Sequence, residues 1–455
     1  NDPVVSKREQ KLKKSEVDAD LGHVPKKIAR LNKKHALAFV KGKTIVITEK
    51  SDGTVDYGPL SALHEWYEND RVPTEKSTEP VSKMWLRHKM RREFQNGVVF
   101  APGLVREGCY NHWKGWSVEA DPEGSCELWL QHLRSVICCN DEILFRYALG
   151  WFAHIVQKPW EKPGVAFIVR GKKGRGKDTI MDYFGGLIAD HHVKIANQEQ
   201  MVGKFNAHQE KALVLHVEEG FWAGNKQAEG SLKHLITSEK VQIERKGIDS
   251  FSVDSYLRIF MSSNEDWVVP ATSDERRYFV LDVSDERRGD HVYFRALRQE
   301  MNNGGRSALL HYLMHYDLSD FEVRSVPDTK ALGQQKLQGL RGFERFWFDI
   351  LDSLEMPVDY SIRGGKAGRW LNDFIIVGRQ DLYAKYEQWL AHRRYEKSSE
   401  GVSVIGRRLS EMLNGEIGVY ASRSGKKQIK QHVLPPVPRC RFLFEKWLGS
   451  AVDWD

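Results

Sequence analysis

A glycine-rich basic loop follows an apolar run between residues 167 and 179 and holds the side chains best suited to bind phosphate. Its glycines, Gly171, Gly174 and Gly176, allow successive backbone amides to converge on one anion. Lys177 adds a positive charge for the outermost phosphates. The apolar run predicts a strand, and the residues after the loop predict a helix whose N-terminus also favours an anion. The sequence therefore predicts a phosphate-binding loop between a strand and a helix.

One position of this loop departs from the usual pattern, in which Ser or Thr directly follows the lysine and holds magnesium. Asp178 occupies that position here, and Thr179 follows one residue late. Thr179 lies about 100° further round a helix, so it replaces the usual hydroxyl only if it turns towards the metal. Asp178 can coordinate a metal ion, but its charge also repels phosphates. A hydrolysing site and a site without turnover both remain open.

Two adjacent carboxylates follow the next apolar run. The run from Ala212 to Val217 favours a strand, and it ends in Glu218 and Glu219. Open α/β sheets bind ligands at the carboxyl ends of their strands. We expect Glu218 to face a magnesium ion and Glu219 to orient or deprotonate an attacking water. The simpler alternative is a pair of acidic residues that merely leave a strand.

A third strand-like run ends in Asn264, and two arginines, Arg276 and Arg277, follow it. The neutral amide of Asn264 can contact a terminal phosphate or a water without repelling either. A guanidinium can stabilise the charge on a transferring phosphate, and a neighbouring subunit can supply it. Alternatively, either arginine forms a structural ion pair with Asp274 or Glu275.

A basic hairpin is predicted between residues 241 and 253, where alternating residues flank an Arg245-Lys246-Gly247 turn. In a ring pore such a tip would meet a nucleic-acid backbone. On a monomer it would be an exposed loop.

Short β-rich runs alternate with helical stretches between about 160 and 290, which is typical of an α/β core with a mainly parallel sheet. A basic helix is predicted from about 82 to 94. Two helices and a basic hairpin near the end suggest a winged-helix module. The predicted division is a basic leader or linker (1–31), a small N-terminal α/β unit (32–120), a helical lead-in (121–159), the core (160–290), a helical segment (291–357) and a winged-helix-like module (358–455).

Basic residues are also frequent in the last segment, where they either contact phosphates or form the solvated face of a packing domain. They are Arg363, Lys366, Arg369, Arg407, Arg408, Lys426 and Lys427.

Composition narrows the class of protein. The chain of 455 residues is 41% hydrophobic, which suffices for several packed cores. A net charge of +7 leans towards polyanionic partners without deciding the matter.

The five cysteines match neither a disulfide framework nor a zinc site, which favours a reducing compartment. No apolar run approaches the length of a membrane span. Because the sequence begins with Asn1, we expect an upstream segment.

In this order the loop, the double-acid strand, the basic hairpin, the strand ending in Asn and the arginine resemble a superfamily 3 helicase. More narrowly, the chain is similar to the helicase-like C-terminal part of phage primase-polymerases, including that of a deep-sea vent phage. The stretches that carry this likeness, which extends over most of the chain from about residue 30, are residues 110–116, 159–176, 244–249 and 434–441.

The resemblance implies an AAA+-type P-loop ATPase core, with ATP and Mg²⁺ as cofactors. It implies a homo-hexameric ring acting on single-stranded or forked DNA in the cytoplasm of the infected host cell, with a primase-polymerase domain upstream. The expected ATP-binding residues are Gly171, Gly174, Arg175, Gly176, Lys177, Asp178 and Thr179. The expected metal ligands are Glu218, Thr179 and Asp178, and the expected catalytic residues are Glu219, Asn264, Arg276 and Arg277. The expected DNA-binding residues are Arg245 and Lys246.

Two hypotheses follow. In the first, the chain is an ATP-driven DNA helicase or translocase. In the second, motivated by Asp178, it is a nucleic-acid-binding ring or clamp with weak or absent ATP hydrolysis. A transcriptional or packaging ATPase is a third alternative.

Overall fold

The computed structural model describes residues 25–74, 77–196, 200–201, 203, 206–219, 226–245, 248–365, 368–393, 401–424 and 427–454. The chain divides into two compact units, residues 1–115 and 116–455. No helix within the described ranges is both long enough and apolar enough to cross a membrane.

The first unit contains a small sheet of four strands in the order β3-β2-β1-β6. Side chains alternate between its two faces, as the period of a strand requires. Leu37 and Val46 pack with Trp85 on the helical face, whereas Ala36 and Ile47 pack with Tyr110 on the other. The elements of this unit are α1 (Lys26–Lys34), β1 (His35–Val40), β2 (Lys43–Glu49), β3 (Val55–Gly58), α2 (Leu60–Trp66), β4 (Arg71–Pro73), β5 (Thr78–Pro80), α3 (Val81–Arg87), β6 (Glu93–Phe94), β7 (Val98–Val99) and β8 (Tyr110–Asn111).

The prediction of a basic helix from about 82 to 94 is wrong in its length, because α3 ends at Arg87. His88 is extended, and its ring accepts a hydrogen bond from the backbone amide of Met90. The side chain of Asn32 holds the next residues by bonding the carbonyl of Met90 and the amide of Arg92. These contacts with α1 satisfy backbone groups that a longer helix would have used.

The second unit is built on a sheet of five parallel strands in the order β10-β11-β14-β9-β15. The predicted strands of the core all form, and the mainly parallel α/β sheet is confirmed. Every residue of the interior strand β9 is buried, as expected for a parallel strand covered on both faces. These strands are β9 (Ala166–Arg170), β10 (His192–Ile195), β11 (Val214–Val217), β14 (Arg258–Ser263) and β15 (Tyr278–Asp282).

Helices cover both faces of this sheet. On one face Trp151 and Phe152 of α5 pack against Phe167 of β9. On the other, apolar residues of α7 and α10 join the strands in one core, to which α10 contributes Leu332. The elements around the sheet are α4 (Glu127–Gln131) with a π-helix (His132–Ile137), α5 (Glu142–Gln157), α6 (Thr179–Gly185), α7 (Lys226–Thr237), the hairpin β12 (Lys240–Arg245) and β13 (Ile248–Asp254), α8 (His291–Glu300), α9 (Arg306–Met314) and α10 (Lys330–Gly339).

The C-terminal part of this unit packs four helices with an antiparallel sheet in the order β16-β17-β19-β18. Trp347, Tyr386, Leu409 and Phe444 supply one residue from each helix to its core. The predicted pair of helices before a hairpin is present as α12, α13, β18 and β19. The elements are α11 (Gly342–Ser353), β16 (Tyr360–Ile362), β17 (Ile375–Gly378), α12 (Arg379–His392), α13 (Val402–Met412), β18 (Gly418–Ser424), β19 (Lys427–Leu434) and α14 (Val437–Leu448).

Candidate nucleotide and metal site

A cavity of about 720 Å³ opens at the carboxyl ends of three adjacent strands, β11, β14 and β9. The loop follows β9, the double acid follows β11, and Asn264 follows β14, so the parallel sheet brings together residues far apart in sequence. The residues predicted from the sequence that line this cavity are Gly174, Gly176, Lys177, Asp178, Thr179, Glu218, Glu219 and Asn264. It is also lined by Lys173, Ala196, Ser262, Ser263, Gly289, His291 and Phe294.

The loop backbone requires glycine at its tightest points. Gly174 and Gly176 have φ values of 81° and 82°, in the left-handed region that favours glycine. A Cβ at Gly176 would lie 2.6 Å from Phe294 and 2.8 Å from His132, so close packing also excludes a side chain there.

A buried histidine outside the loop holds it in place. His132 lies in the π-helix and is fully buried, with Nε2 2.9 Å from the Gly176 carbonyl and Nδ1 3.1 Å from the Tyr293 hydroxyl. Burial lowers the pKa of His132 to about 4, so the ring is neutral at pH 7. It therefore donates from Nε2 to Gly176 and accepts from Tyr293 at Nδ1. Sequence reasoning missed this contact, which joins residues 44 positions apart.

Lys177 lies inside the loop with its ammonium group against three acceptors. Nζ donates to the carbonyls of Gly171 (2.6 Å) and Lys172 (3.2 Å) and to Oδ1 of Asn264 (2.9 Å). Burial lowers the pKa of Lys177. The lysine and the amide predicted to contact the terminal phosphates thus meet at one point of the cavity wall.

Asp178 precedes α6 and points towards the ends of β11 and β14. Its Oδ1 accepts a hydrogen bond from the Ser262 hydroxyl and lies 3.1 Å from Nε2 of His216. Burial raises the pKa of Asp178, but the hydrogen bonds from His216 and Ser262 outweigh it and hold this pKa below its usual value. Asp178 is therefore ionised at neutral pH and fixed by two strands.

The two acidic residues after β11 differ in their surroundings. Glu218 forms an ion pair with Lys194 of β10 (2.6 Å), which also pairs with Asp182 of α6 (2.8 Å). Glu219 is exposed, has a left-handed φ of 55°, and lies 3.8 Å from Lys173 in the loop. Lys194 belongs to an edge strand that the sequence pattern did not reveal.

Oxygen and nitrogen donors cluster beside the cavity. Single donor atoms of Asp178, His216 and Glu218 lie within 4.8 Å of one another. His216 was missed, although an imidazole within an otherwise apolar buried strand is itself a signal of a special role. These three residues can hold a divalent cation, and Thr179 lines the same cavity.

Arg175, predicted to bind nucleotide, turns its side chain away from the cavity. Its guanidinium donates to Asp285 (2.6 Å) and to the carbonyl of Val283 (3.0 Å), just after β15. This contact ties the loop to the neighbouring strand.

The two predicted catalytic arginines lie at the other end of the sheet. Tyr278, which follows them, pairs with Ala166 at the start of β9, whereas the phosphate loop begins after Arg170 at its end. Four residues of strand separate these points by roughly 13 Å. The structure therefore does not bring Arg276 and Arg277 into the cavity of their own chain.

Their environments also differ. The guanidinium of Arg277 binds the carboxylate of Glu275 at 3.0 Å and 3.2 Å, and this carboxylate is buried. Arg276 is exposed, and among the described residues its side chain makes no ion pair. The ion pair proposed as an alternative role therefore exists for Arg277.

The predicted basic hairpin forms from β12 and β13, with Val241 opposite Val253 and Arg245 opposite Ile248. Lys246, predicted to bind DNA, lies outside the described residues, as does the side chain of Arg245. Their proposed contact with DNA stays a prediction.

Comparisons with known proteins cover the part of the chain that holds these residues. A family of unknown function, DUF5906, matches residues 169–277, which hold the loop, the double acid, the hairpin, Asn264 and both arginines. The DNA primase-polymerase of Nitratiruptor phage NrS-1 is 26% identical over 244 residues, which are 50% of this chain and 33% of that protein.

Solved structures extend the likeness to the fold. The apo C-terminal region (305–718) of NrS-1 aligns with a TM-score of 0.64 and 17% identity, covering 90% of this chain and 100% of that structure. An active helicase, Cch of SCCmec type IV, aligns with a TM-score of 0.45 and 10% identity over 91% of this chain and 94% of its own. The two matches to NrS-1 confirm the resemblance to the C-terminal region of a phage primase-polymerase, and the sequence match spans one third of that relative's length.

Proposed function

We propose that this chain is an ATP-dependent, ring-forming DNA helicase or translocase of the AAA+ type, the motor part of a phage replication protein. One observation carries the proposal: the phosphate loop, two carboxylates and Asn264 converge on a single cavity. ATP binds there with its phosphates on the loop amides and Lys177. Mg²⁺, or a divalent ion in its place, neutralises the phosphate charge when bound.

Each polar group in the cavity has a distinct task in this proposal. Lys177 leaves the carbonyls it bonds and contacts the terminal phosphates, while Asn264 stays beside it to hold the attacking water. Glu219, exposed at the mouth, orients or deprotonates that water. Glu218 and Asp178 face the metal, and Thr179 supplies the hydroxyl.

A second copy completes the site. Because Arg276 is exposed at the opposite end of the sheet, it can reach a cavity only in a neighbouring subunit. Arg277 is less suited to this role, since its guanidinium neutralises the buried Glu275. We therefore assign the trans-acting arginine to Arg276, in a homo-hexameric ring, and the choice between the two arginines now rests on this contrast.

Charge distribution suggests a second surface that contacts DNA. Residues 1–115 contain 22 Lys and Arg against 15 Asp and Glu, whereas residues 116–455 contain 47 of each. The whole net charge thus belongs to the first unit. Helix α1 buries Ile28 and Leu31, and all of its exposed residues are Lys or Arg. They are Lys26, Lys27, Arg30, Lys33 and Lys34. We propose that this face contacts the phosphate backbone.

The proposed activity is tested by replacing Lys177 with Ala. Hydrolysis of ATP stimulated by single-stranded DNA is expected to be abolished, because the loop loses the charge that binds the terminal phosphates. The control is Lys330→Ala, which removes an exposed lysine paired with the exposed Asp453. Unchanged turnover in Lys177→Ala would contradict an ATP site at this loop.

The second candidate is a nucleic-acid-binding ring or clamp with little or no hydrolysis, which Asp178 still favours because it places a fixed anion beside the phosphates. Turnover on single strands that disappears in Glu219→Gln would exclude it. Tight DNA binding without measurable turnover in the native chain would favour it over a motor.

A further inference from the structure

The donor set beside the cavity differs from the all-oxygen set that magnesium prefers. Asp178 and Glu218 offer carboxylate oxygens, but the third member, His216, offers an imidazole nitrogen. Its ring is fully buried between β10 and β14, so it is a fixed part of the site. Magnesium seldom takes such a ligand, whereas imidazole suits first-row transition metals.

The spacing of the donors fits two ligands on one ion. Nε2 of His216 lies 3.1 Å from Oδ1 of Asp178. Two ligands that each lie about 2.1 Å from a metal at right angles are separated by about 3.0 Å. An ion between these atoms therefore needs little movement of either side chain. The same 3.1 Å contact is a hydrogen bond when no ion intervenes.

The neighbouring residues orient both ligands. The Ser262 hydroxyl donates to Asp178, and the ring of His192 stacks on His216 with centroids 5.5 Å apart. Nδ1 of His216 is buried without a hydrogen-bond partner among the described residues, and the nearest carboxylate, Asp182, is 3.8 Å from it. Coordination through Nε2 fixes the proton on Nδ1, where it faces Asp182. Metal-bound histidines commonly carry such a carboxylate partner.

The third ligand is already partly neutralised. One oxygen of Glu218 pairs with Lys194 at 2.6 Å, which leaves the other oxygen for an ion. Lys194 also pairs with Asp182, so it partly neutralises a second carboxylate near the imidazole.

We propose that Asp178, His216 and Glu218 bind a divalent first-row transition ion in preference to Mg²⁺, before any nucleotide is present. The departure at Asp178 then has a chemical consequence, because the position directly after the lysine offers a carboxylate, a stronger ligand than the usual hydroxyl. The proposal rests on the proposed function only for the role of the ion in ATP binding, since the ion binds to protein groups alone.

Manganese binding to the full chain without nucleotide tests this site. Titration of Mn²⁺, followed by the electron paramagnetic resonance signal of the free ion, is expected to give one tight ion per chain that a tenfold excess of Mg²⁺ does not displace. His216→Gln is expected to weaken binding at least tenfold. His392→Gln, which removes an exposed imidazole elsewhere, is the matched control and should bind as the native chain does.

A second variant keeps the test decisive if His216→Gln does not fold. Asp178→Asn keeps the shape of the side chain and is also expected to weaken Mn²⁺ binding at least tenfold. Binding that is unaffected by both variants, or that Mg²⁺ displaces at equal concentration, would overturn the proposal. Lys177→Ala separates this claim from the proposed function, because that variant should lose ATP hydrolysis and keep its manganese.

Discussion

The two ends of the central sheet use charged side chains in opposite ways. At the carboxyl end, Lys177, Asp178 and Glu218 surround an open cavity. At the amino end, a cation is hydrogen-bonded inside the protein. The fully buried Arg258 donates to the backbone carbonyls of Lys158, Pro159, Glu161 and Tyr256. The carboxyl end is therefore arranged for a ligand and the amino end for stability.

Arg276 is the exception at the amino end, because it is charged, exposed and unpaired among the described residues. The adjacent Arg277 is a natural internal control, since both arginines follow β14 and directly precede Tyr278 of β15. If the cavity of one copy is completed by an arginine from a neighbouring copy, only one of these two arginines should affect the rate of ATP hydrolysis.

Of the changes at the two ends of the sheet, replacing Arg276 with Ala should have the largest effect on the rate of ATP hydrolysis without disturbing the ATP site of the same chain. ATP hydrolysis should fall by about 10³-fold, the usual effect of removing an arginine that stabilises phosphoryl transfer. Affinity for ATP should change little, because the cavity of the same chain keeps all its own groups. Steady-state hydrolysis and equilibrium binding of a fluorescent ATP analogue measure the two quantities. A parallel loss of affinity would argue against a role confined to the transition state.

Replacing Arg277 with Ala should affect stability instead. It leaves the buried carboxylate of Glu275 with the two backbone amides and with Lys233, which lies 3.6 Å away. We expect the free energy of unfolding to fall by about 2 kcal/mol, as for a buried charge that loses one partner. Urea denaturation of Arg276→Ala and Arg277→Ala gives the comparison. Equal stability of the two variants would remove the distinction drawn between them.

Acid should lower the free energy of unfolding through His132, which supports the loop at the carboxyl end of the sheet, and this effect should be smaller than that of Arg277→Ala. The pKa of His132 is about 4 in the folded chain because of burial, against about 6.5 when unfolded. The unfolded chain binds more protons between these values, so stability falls as pH falls from about 6.5 towards 4. The loss between pH 7.5 and 5.5 is about 1 kcal/mol for this histidine.

The variant His132→Gln isolates that contribution. It should show a smaller loss of unfolding free energy between pH 7.5 and 5.5 than the native chain, while it weakens the support of Gly176. Burial also lowers the pKa of His154 to about 4, so His154→Gln should reduce the acid sensitivity without touching the loop. A pH dependence unchanged in both variants would contradict the neutral state of these rings.

Local sequence patterns predicted the strands and the loop because each is a continuous apolar run or a fixed spacing of glycines. They could not give the lateral order of strands, in which β14 lies between β9 and β11 although it follows both in sequence. That order places Ser262 and His216 beside Asp178. The hydrogen-bond partners of Asp178 therefore could not be predicted from the sequence. The strand β10 was missed because His192 and Lys194 interrupt its apolar pattern.

Two other differences between the predicted and the observed helices have separate causes. Helix α14 was missed because prolines crowd its start, although Pro438 lies within the first turn, where proline is tolerated. The helix predicted from about 82 ends early because Asn32, more than 50 residues away, binds the carbonyl of Met90 and the amide of Arg92. Contacts of this range cannot be read from a window of sequence.

A mixing experiment tests the divided site most directly. Lys177→Ala and Arg276→Ala chains are each expected to be nearly inactive alone. When they are mixed before assembly, some interfaces combine an intact loop from one chain with an intact arginine from the other, so DNA-stimulated ATP hydrolysis should recover to a clear fraction of the native rate. Recovery supports a site shared between copies at opposite ends of the sheet; a mixture as inactive as its components, with assembly confirmed by light scattering, would contradict it.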